Sequence, residues 1–459
     1  MALDWPRETA PRMPGAEWPP PPVRCGSGMP GKCRRRGNRL RIGWATRPEA
    51  TEKLVYATMF TLRRQGPKMI RLIEALNYRC LRYIRQPLDA FHVLVGPNAS
   101  GKSTFLDVPN FIYTMFQFGL DKAIKDRTDN ILDLLWRSSD NDTGDAPALR
   151  RFELAIELAL PDQRAVRYCV AVGLDQHDAV GVLREEVRIL QSLPGTTDVA
   201  VPASIFRAEG ELIFPDAHLQ LSPDHGARPD TFFRQLMGVP FSPSTVKYIR
   251  PIMEAFISLV YLEAAELRKA SPPGEGMGTR WSGAGLPNMV EHLRKFGGGK
   301  WPYWQAHLRT VFPGLDSVQV HMRPEDRKRY VALRMKDGAE FPSWLLSDGT
   351  LHLLALTILA YLPPRPGISS FMVEEPESHL HPLNIEAVMQ ALSSVYDGQV
   401  LLTTHSPAVL ALTDPGRVLV FSRDVQQGVA IVRGNQHARL RDWKGEVDLG
   451  TLFAGGVLG

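Results

Sequence analysis

The segment VEEPESHLHP, residues 373–382, concentrates side chains that can do chemistry. Three carboxylates surround one proline, and two histidines follow them: Glu374, Glu375, Glu377, His379 and His381. Carboxylates and imidazoles bind metal ions and transfer protons near neutral pH. Taken alone, the segment is compatible with a metal site, a general-base pair or a solvated turn. Its role depends on the elements around it.

A second segment, GPNASGKST, has a more specific pattern. Gly96, Gly101, Lys102 and Ser103 match G-x-x-x-x-G-K-[ST], the pattern of a nucleotide-binding loop. Glycines let backbone N–H groups approach phosphates, the lysine reaches the outer phosphates, and the serine hydroxyl binds Mg²⁺. The predicted nucleotide-binding residues are Gly96, Pro97, Asn98, Ala99, Ser100, Gly101, Lys102, Ser103 and Thr104.

The residues on either side of this loop predict the elements that the motif requires. The short apolar run at 91–95 is typical of a buried strand, and residues 103–118 have a helical pattern. Further upstream, residues 69–84 alternate apolar and polar side chains well enough for a strand. The loop is therefore predicted to connect a buried strand to a helix.

A nucleotide-binding loop also gives the acidic segment a role. Such a site needs a second strand that delivers a carboxylate to the Mg²⁺ water shell, followed by a residue that activates the attacking water. Residues 371–373 predict this strand. Glu374 is then predicted to bind the metal together with Ser103, and Glu375 to act as the base.

The order of the motifs resembles that of the ABC ATPases. LLSDGTLHLLAL, residues 345–356, precedes the acidic segment, and VLLTTHSP, residues 400–407, follows it. This order corresponds to phosphate loop, LSGGQ-like signature, acidic strand, D-loop and switch histidine. Within that group the chain resembles the RecF/SMC/OLD branch of AAA-family ATPases (AAA15/AAA21-like), whose members read LSDGT and DEPE-x-x-LHP. The resemblance covers residues 69–459.

The resemblance implies a role for each matching position. Ser347 and Gly349 would contact the γ-phosphate of ATP held by an opposite protomer, so that ATP joins two heads into a homodimer. His381 takes the place of the D-loop aspartate at the dimer seam, and His405 would be the switch histidine that bonds the γ-phosphate. The implied cofactors are ATP and Mg²⁺, and the implied catalytic residues are Lys102, Glu375 and His405.

Some positions depart from the ABC pattern. Glu374 stands where aspartate is commoner and is one methylene longer. Asp348 and Thr350 replace Gly and Gln of the transporter signature, which argues against a transporter. LSDGT and TTHSP are weak signals alone, and zinc at His379 and His381 lacks a third ligand with suitable spacing.

The implied fold class is α/β: a P-loop NTPase of the ABC-ATPase head type, with an antiparallel β-subdomain and a helical insertion. A hairpin is predicted for FELAIELAL and RAVRYCVAVGL, and a third strand for LREEVRIL. A helix is predicted after Pro251, and two shorter helices are predicted for LPNMVEHLRKF and YWQAHLRTVF. The predicted parts are a disordered leader (1–68), a first ATPase lobe (69–200), a helical insertion or lid (201–340) and a second ATPase lobe (341–459).

The formal charge of +5 is concentrated near the N-terminus. Residues 1–68 contain 14 Lys/Arg and 5 Asp/Glu, whereas the remaining residues contain 40 Lys/Arg and 44 Asp/Glu. The PPPP and CRRRGNRLR stretches of this leader cannot bury enough apolar surface to fold, so the leader is predicted to be disordered and Met69 to begin the folded protein. The near-neutral remainder argues mildly against strong DNA affinity.

Other features bound the location of the protein. The uncharged apolar stretch at 351–362 is far shorter than the roughly 20 residues that span a bilayer, and the N-terminus lacks an apolar signal core. The cysteines have no zinc spacing, and the N-terminus has no signal core, so the thiols are predicted to be reduced. Together these features predict a cytoplasmic protein with no membrane partner. The cysteines are Cys25, Cys33, Cys80 and Cys169.

Three functions remain open from the sequence. The first is a dimerising ATPase that senses for or gates a separately encoded effector, as in bacterial anti-phage systems. A separate effector is expected because the 54 residues after His405 leave no room for the nuclease of OLD proteins. The alternatives are a RecF-like ATPase that binds DNA and a non-enzymatic nucleotide-dependent scaffold. The adenine contacts also stay open: Tyr78, Arg79 and Tyr83 are candidates to stack on a base, but core or surface roles are equally compatible.

Overall fold

The structure is a computed structural model. It describes residues 69–137, 150–159, 164–191, 204–208, 256–260, 262–273, 280–363, 368–396, 398–424, 428–440 and 447–456. The predicted disordered leader lies outside the described residues, as do Cys25 and Cys33. Within them, Cys80 and Cys169 are free thiols.

The described chain forms runs of consecutive strands in its first part and alternates strands and helices from α6 to β15. The strands are β1 (Ile70–Tyr78), β2 (Leu81–Pro87), β3 (Phe91–Val95), β4 (Arg151–Ala159), β5 (Arg164–Leu174), β6 (Val180–Gln191), β7 (Ser204–Ala208), β8 (Phe256–Val260), β9 (Arg280–Trp281), β10 (Leu315–Met322), β11 (Arg329–Met335), β12 (Glu340–Pro342), β13 (Ile368–Glu374), β14 (Gln399–Thr403), β15 (Val418–Asp424) and β16 (Gly428–Arg433). The helices are α1 (Lys102–Phe118), α2 (Leu120–Lys125), α3 (Ala264–Leu267), α4 (Leu286–Phe296), α5 (Lys300–Val311), α6 (Asp348–Tyr361), α7 (Pro382–Ser393), α8 (Pro407–Ala411) and α9 (Leu449–Ala454).

A seven-stranded sheet carries the nucleotide loop and the acidic segment. Its strand order is β16-β15-β3-β14-β13-β8-β9. Neighbouring strands are parallel except for β16, which is antiparallel to β15. The carboxyl ends of β3, β14 and β13 therefore meet at one edge, where ligands bind in open α/β sheets.

Successive residues of the central strands belong to two separate cores. In β3, Val93 and Val95 belong to one cluster of buried side chains, and Leu94 belongs to the other. In β14, Leu402 belongs to the cluster of Val95 and Leu401 to that of Leu94. Side chains alternate between the faces of a sheet, so a sheet buried on both faces reads as a continuous apolar run. This is why the short apolar run predicted β3 correctly.

A six-stranded antiparallel sheet forms the predicted β-subdomain. Its order is β2-β1-β4-β5-β6-β7, and it confirms the hairpin β4–β5 and the third strand β6. The single strand predicted for residues 69–84 is wrong, because these residues form the hairpin β1–β2. Asn77 and Arg79 adopt positive φ angles of 58° and 52° at its turn. The apolar alternation continues through that turn and conceals it.

The helix predicted after Pro251 is also wrong. Residues Phe256–Val260 form β8, which pairs in parallel with β13 and joins the main sheet. Among the described residues of this segment, the helical ones are Ala264–Leu267. The sequence FISLV is rich in β-branched and aromatic residues, as buried strands are, but periodicity alone cannot separate such a run from a buried helix. The division of the chain into four parts stays a prediction.

Two predicted helices, α4 and α5, are confirmed and pack beside α6. Trp304 of α5 is fully buried, and its indole N–H donates to the hydroxyl of Thr357 in α6 at 3.0 Å. Strands β10, β11 and β12 form a small antiparallel sheet that contributes Val318 and Val331 to the same core. Among the described residues, none of the helices has the length and apolar character needed to cross a membrane.

Candidate nucleotide-binding site

The loop between β3 and α1 is packed so closely that two of its positions admit only glycine. A Cβ atom on Gly96 would lie 2.3 Å from the carbonyl oxygen of Phe421 in β15. A Cβ atom on Gly101, which has a φ of 100°, would lie 2.8 Å from the side chain of Val429 in β16. The neighbouring strands therefore require both motif glycines, and the loop backbone stays close to the end of β3.

Lys102 begins α1, and its ammonium group folds over the loop. The Nζ atom donates to the carbonyl oxygens of Gly96 at 2.8 Å and Pro97 at 2.9 Å. Burial lowers the pKa of Lys102 below its ordinary value, and the negative charges of Glu375 and Glu374 counteract part of that lowering. The lysine thus lies between the phosphate loop and the acidic segment.

Strand β13 ends at Glu374, and the chain turns sharply at Glu375. The backbone N–H of Glu375 donates to the carbonyl oxygen of Thr403 at the end of β14, at 3.0 Å. Glu375 has a positive φ of 43°, a conformation that is uncommon for residues other than glycine and costs of order 1–3 kcal/mol. The surrounding hydrogen bonds maintain this strained turn at the edge of the sheet.

A cavity of about 380 Å³ at this edge brings most of the predicted site residues together. Residues 98–104 line it, together with Glu374, Glu375 and His405. His405 lies there because it follows β14, the strand between β3 and β13. Three motifs that are far apart in the sequence therefore share one cavity.

Four further lining residues were not assigned to the site from the motifs: Arg79, Cys80, Thr403 and Arg423. Arg79 and Cys80 belong to the β1–β2 turn, and Arg79 was one open candidate for contact with the base. Arg423 lies near the end of β15, which is parallel to β3. The position of Arg423 after the apolar run VLVF was the available signal, since parallel strands end at the same edge.

The cavity offers oxygen ligands suited to Mg²⁺. Ser103 supplies a hydroxyl and Glu374 a carboxylate, and both line the cavity. Mg²⁺ is commonly held by one or two carboxylates together with substrate phosphates, so this donor set fits the ion. The described part of the chain contains no cluster of three or more His, Cys, Asp and Glu side chains that could hold a metal, so His379 and His381 gain no third ligand there.

The remaining predicted residues lie outside the cavity lining. Ser347 caps α6, because its Oγ accepts a hydrogen bond from the N–H of Thr350 at 3.2 Å. A Cβ atom on Gly349 would lie 2.7 Å from the carbonyl oxygen of His379. His381 caps α7 in a similar way. Gly349 of the signature thus lies against the backbone of His379, two residues before the D-loop position, and none of these residues lines the cavity.

A mostly buried carboxylate fixes α1 to the β1–β2 turn. Asp107 accepts hydrogen bonds from the Tyr78 hydroxyl at 2.7 Å, from Asn110 at 3.1 Å, and from Nε and Nη2 of Arg127 at 2.8 Å and 2.5 Å. Burial would raise the pKa of Asp107, but the hydrogen bonds and charge of Arg127 outweigh it, so the pKa is lowered. The network holds the turn beside the nucleotide loop.

The structure distinguishes the three residues that were candidates to stack on a base. Tyr78 is fully buried and belongs to the core, so it does not stack on a base. Tyr83 is exposed and donates its hydroxyl to Glu74 at 2.9 Å. Of the three candidates, only Arg79 lines the cavity.

The topology and the loop define the class of the protein. A glycine-rich loop joins a central parallel strand to α1, with an acidic strand one position removed in the same sheet. This is the α/β fold of a P-loop NTPase, and it carries an antiparallel β-subdomain, as predicted.

The comparisons with known proteins narrow this class. A family described as "AAA domain, putative AbiEii toxin, Type IV TA system" (AAA_21) matches residues 287–411, which include the signature, the acidic strand and His405. This match supports a P-loop ATPase domain over these residues. No curated protein matches the chain.

Several solved structures are similar to the chain at low sequence identity. An Smc head bound to the C-winged helix domain of ScpA is 15% identical, with a TM-score of 0.48 over 79% of this chain and 97% of that chain. The Pyrococcus furiosus Smc head bound to the C-terminal domain of ScpA is 12% identical, with a TM-score of 0.47 over 80% and 96%. The SMC head domain from Thermotoga maritima is 12% identical, with a TM-score of 0.40 over 80% and 98%.

Proposed function

We propose that the chain binds and hydrolyses ATP, and that two copies join head to head on the nucleotide. The observation that carries this proposal is the cavity shared by the nucleotide loop, Glu374, Glu375 and His405. These are the groups that hold phosphates, bind Mg²⁺, activate water and contact the terminal phosphate in phosphoryl transfer. A ligand other than a nucleoside triphosphate would not use all four.

Each side chain has a role that follows from its position. The loop N–H groups and the Lys102 ammonium would hold the outer phosphates, and Ser103 and Glu374 would hold Mg²⁺. When bound, Mg²⁺ neutralises charge on the phosphate oxygens. Glu375 accepts a proton from the water that attacks the γ-phosphorus, the bond to the β-phosphate oxygen breaks, and ADP and phosphate leave. His405 donates a hydrogen bond to the γ-phosphate.

The second copy is proposed to supply Ser347 and Gly349. Ser347 is exposed at the start of the 14-residue helix α6, where unpaired backbone N–H groups favour an anion. These residues do not line the cavity of their own chain, so the proposed composite site places them against the γ-phosphate of the partner. His381 would lie beside the dimer seam.

The biological output is proposed to reside on another protein. We infer a cytoplasmic ATPase that senses for or gates a separately encoded effector in anti-phage defence, in keeping with the resemblance to the RecF/SMC/OLD branch. The alternative is a RecF-like ATPase of DNA repair. Hydrolysis that rises severalfold on addition of duplex DNA would favour the alternative, and hydrolysis that is indifferent to DNA would favour the effector.

The test of the ATPase function is Glu375→Gln in the full chain. This variant should bind ATP as the wild type does but hydrolyse it about 10²–10⁴-fold more slowly, because general-base catalysis contributes that much, and ATP-bound dimers should accumulate. Glu386→Gln is the matched control, since Glu386 is exposed on α7 and bonds only Gln390 among the described residues. Normal turnover by Glu375→Gln would remove Glu375 from the base role. Tight ATP binding with no turnover by the wild type would favour the scaffold.

A further inference from the structure

The third carboxylate of the acidic segment has no part in this chemistry. Among the residues that the structure describes, Glu377 is absent from the lining of the cavity. Its side chain turns instead to the residues that follow β14. The Oε1 atom accepts a hydrogen bond from the Thr404 hydroxyl at 2.6 Å and another from the backbone N–H of His405 at 3.1 Å. Glu377 therefore contacts the segment that carries the proposed switch histidine.

Thr404 is held in one orientation. It is fully buried, and its N–H donates to the carbonyl oxygen of Leu94 in β3 at 3.1 Å. Its hydroxyl oxygen accepts a hydrogen bond from the N–H of Ser406 at 2.9 Å, so the hydroxyl proton is directed to Glu377. Glu377 is thus connected through Thr404 to the strand that leads into the nucleotide loop.

Among the described residues, and beyond the pairing of β13 with β14, the two proposed catalytic segments are linked at two points. At the first, the N–H of Glu375 donates to the carbonyl oxygen of Thr403 at 3.0 Å and also contacts the Thr403 hydroxyl oxygen at 3.4 Å. The second is the pair of hydrogen bonds from Glu377 to Thr404 and His405. Only the second link depends on a side chain of the acidic segment. Without it, the backbone of His405 would lose its attachment to the turn that carries Glu375.

The bonding pattern also shows which property of Glu377 matters. Both hydrogen bonds end on Oε1, whereas Oε2 is buried and has no hydrogen-bond partner among the described residues. A single carbonyl oxygen would therefore suffice to accept both bonds. Glutamine has such an oxygen at the same distance from the backbone, whereas aspartate is one methylene shorter.

We propose that Glu377 is a positioning residue, which fixes the backbone of His405 relative to Glu375 so that imidazole and carboxylate face the same nucleotide. This inference rests on the proposed ATPase function and deepens it. Glu377 touches neither the nucleotide nor the attacking water, and its effect on the reaction passes through His405.

The test compares three replacements of Glu377 in the full chain, by ATP affinity and by kcat. Glu377→Ala removes both hydrogen bonds and should lower kcat by about 10–100-fold, because a displacement of about 1 Å in a catalytic group has effects of this order. ATP affinity should change by less than about twofold, since the nucleotide loop is untouched. Glu377→Gln should keep kcat within about threefold of the wild type, and Glu377→Asp should resemble alanine.

A second set of variants tests whether the effect passes through His405. In a His405→Ala background, Glu377→Ala should lower kcat by less than about twofold, because residues that act through one another are non-additive. Thr404→Val keeps the shape of the side chain and removes one donor to Glu377, so it should also lower kcat. This variant tests the proposal even if Glu377→Ala fails to fold.

Two results would overturn the positioning role. The first is a wild-type kcat in Glu377→Ala. The second is an equal loss of kcat in Glu377→Gln and Glu377→Ala, since that result would mean that the charge of Glu377 matters. Failure of this inference is distinguishable from failure of the proposed function. If the wild type hydrolyses ATP, Glu375→Gln does not, and Glu377→Ala is normal, only the role of Glu377 is wrong. If the wild type neither binds nor hydrolyses ATP, the proposed function itself is wrong.

Discussion

The two halves of the proposed catalytic site occupy different places in a single chain. The nucleotide loop, Glu374, Glu375 and His405 line one cavity at the ends of three neighbouring strands. Ser347 and Gly349 lie outside that lining, at the start of α6, where Ser347 is exposed. One chain thus brings together the groups that hold and attack a phosphate but leaves the signature apart from them. A site shared between two copies requires this separation.

The two halves also differ in how they are held. On the cavity side, the mostly buried Asp107 carboxylate accepts hydrogen bonds from Tyr78, Asn110 and Arg127, which fixes α1 to the β1–β2 turn. On the signature side, Ser347 caps α6 from an exposed position. Substitutions in the cavity half should therefore lower the stability of the chain more than substitutions in the signature half, and stability measurements test this difference.

The largest expected effect on stability is that of Asp107→Ala. It leaves the buried Arg127 without its carboxylate and should lower the free energy of unfolding by about 3–5 kcal/mol, the usual cost of breaking a buried ion pair. Urea denaturation measures the change. Asp121→Ala is the matched control, because Asp121 is 78% exposed in its pair with Lys125 and should change stability by less than about 1 kcal/mol. Equal losses in the two variants would contradict the contrast.

The same carboxylate predicts an acid dependence of stability. The pKa of Asp107 in the folded chain lies below its ordinary value of 3.8. Its stabilisation is therefore complete above that ordinary value and is lost as the pH falls through the lower folded-state pKa. Urea denaturation at a series of acidic pH values should show a steeper loss for the wild type than for Asp107→Ala. Parallel curves would show that Asp107 does not carry the acid dependence.

Ser347→Ala should destabilise the chain less than Asp107→Ala does, and its larger effect should be on ATP turnover. Loss of an N-cap costs about 1 kcal/mol, because the N–H of Thr350 loses its acceptor, and Ser347→Asn should restore most of that loss. ATP binding by the isolated chain should stay unchanged, since Ser347 does not line the cavity. Equilibrium binding of a fluorescent ATP analogue measures this, and weakened binding by monomers would place the signature in its own chain's site.

The sequence predicted the parts of the fold whose local pattern and tertiary role agree. The nucleotide loop was predicted together with its flanking strand and helix. Its motif is specific because close contacts require glycine at Gly96 and Gly101. The acidic strand and the strand before His405 were predicted because both are short apolar runs buried on two faces. Their common edge followed from the parallel pairing.

The prediction failed where local pattern and tertiary role diverge. Phe256–Val260 has the apolar content of either a helix or a strand, and only its pairing with β13 decides for a strand. The β1–β2 turn is hidden because Asn77 and Arg79 adopt left-handed conformations without a glycine. Cys80 and Arg423 line the cavity because of the tertiary fold, and neither residue belongs to a sequence motif.

The most direct test of the shared site is to mix two inactive proteins. Lys102→Ala removes the ammonium from the nucleotide loop and should reduce ATP binding and turnover by at least about 100-fold, and Ser347→Arg should abolish turnover while leaving ATP binding intact. In a heterodimer of the two variants, one of the two composite sites keeps both Lys102 and Ser347.

We expect each variant to be inactive alone and the mixture to recover part of the wild-type ATPase activity, in proportion to the heterodimer present. If labelled subunits are shown to exchange and the mixture stays inactive, the account of a nucleotide site shared between two copies is contradicted.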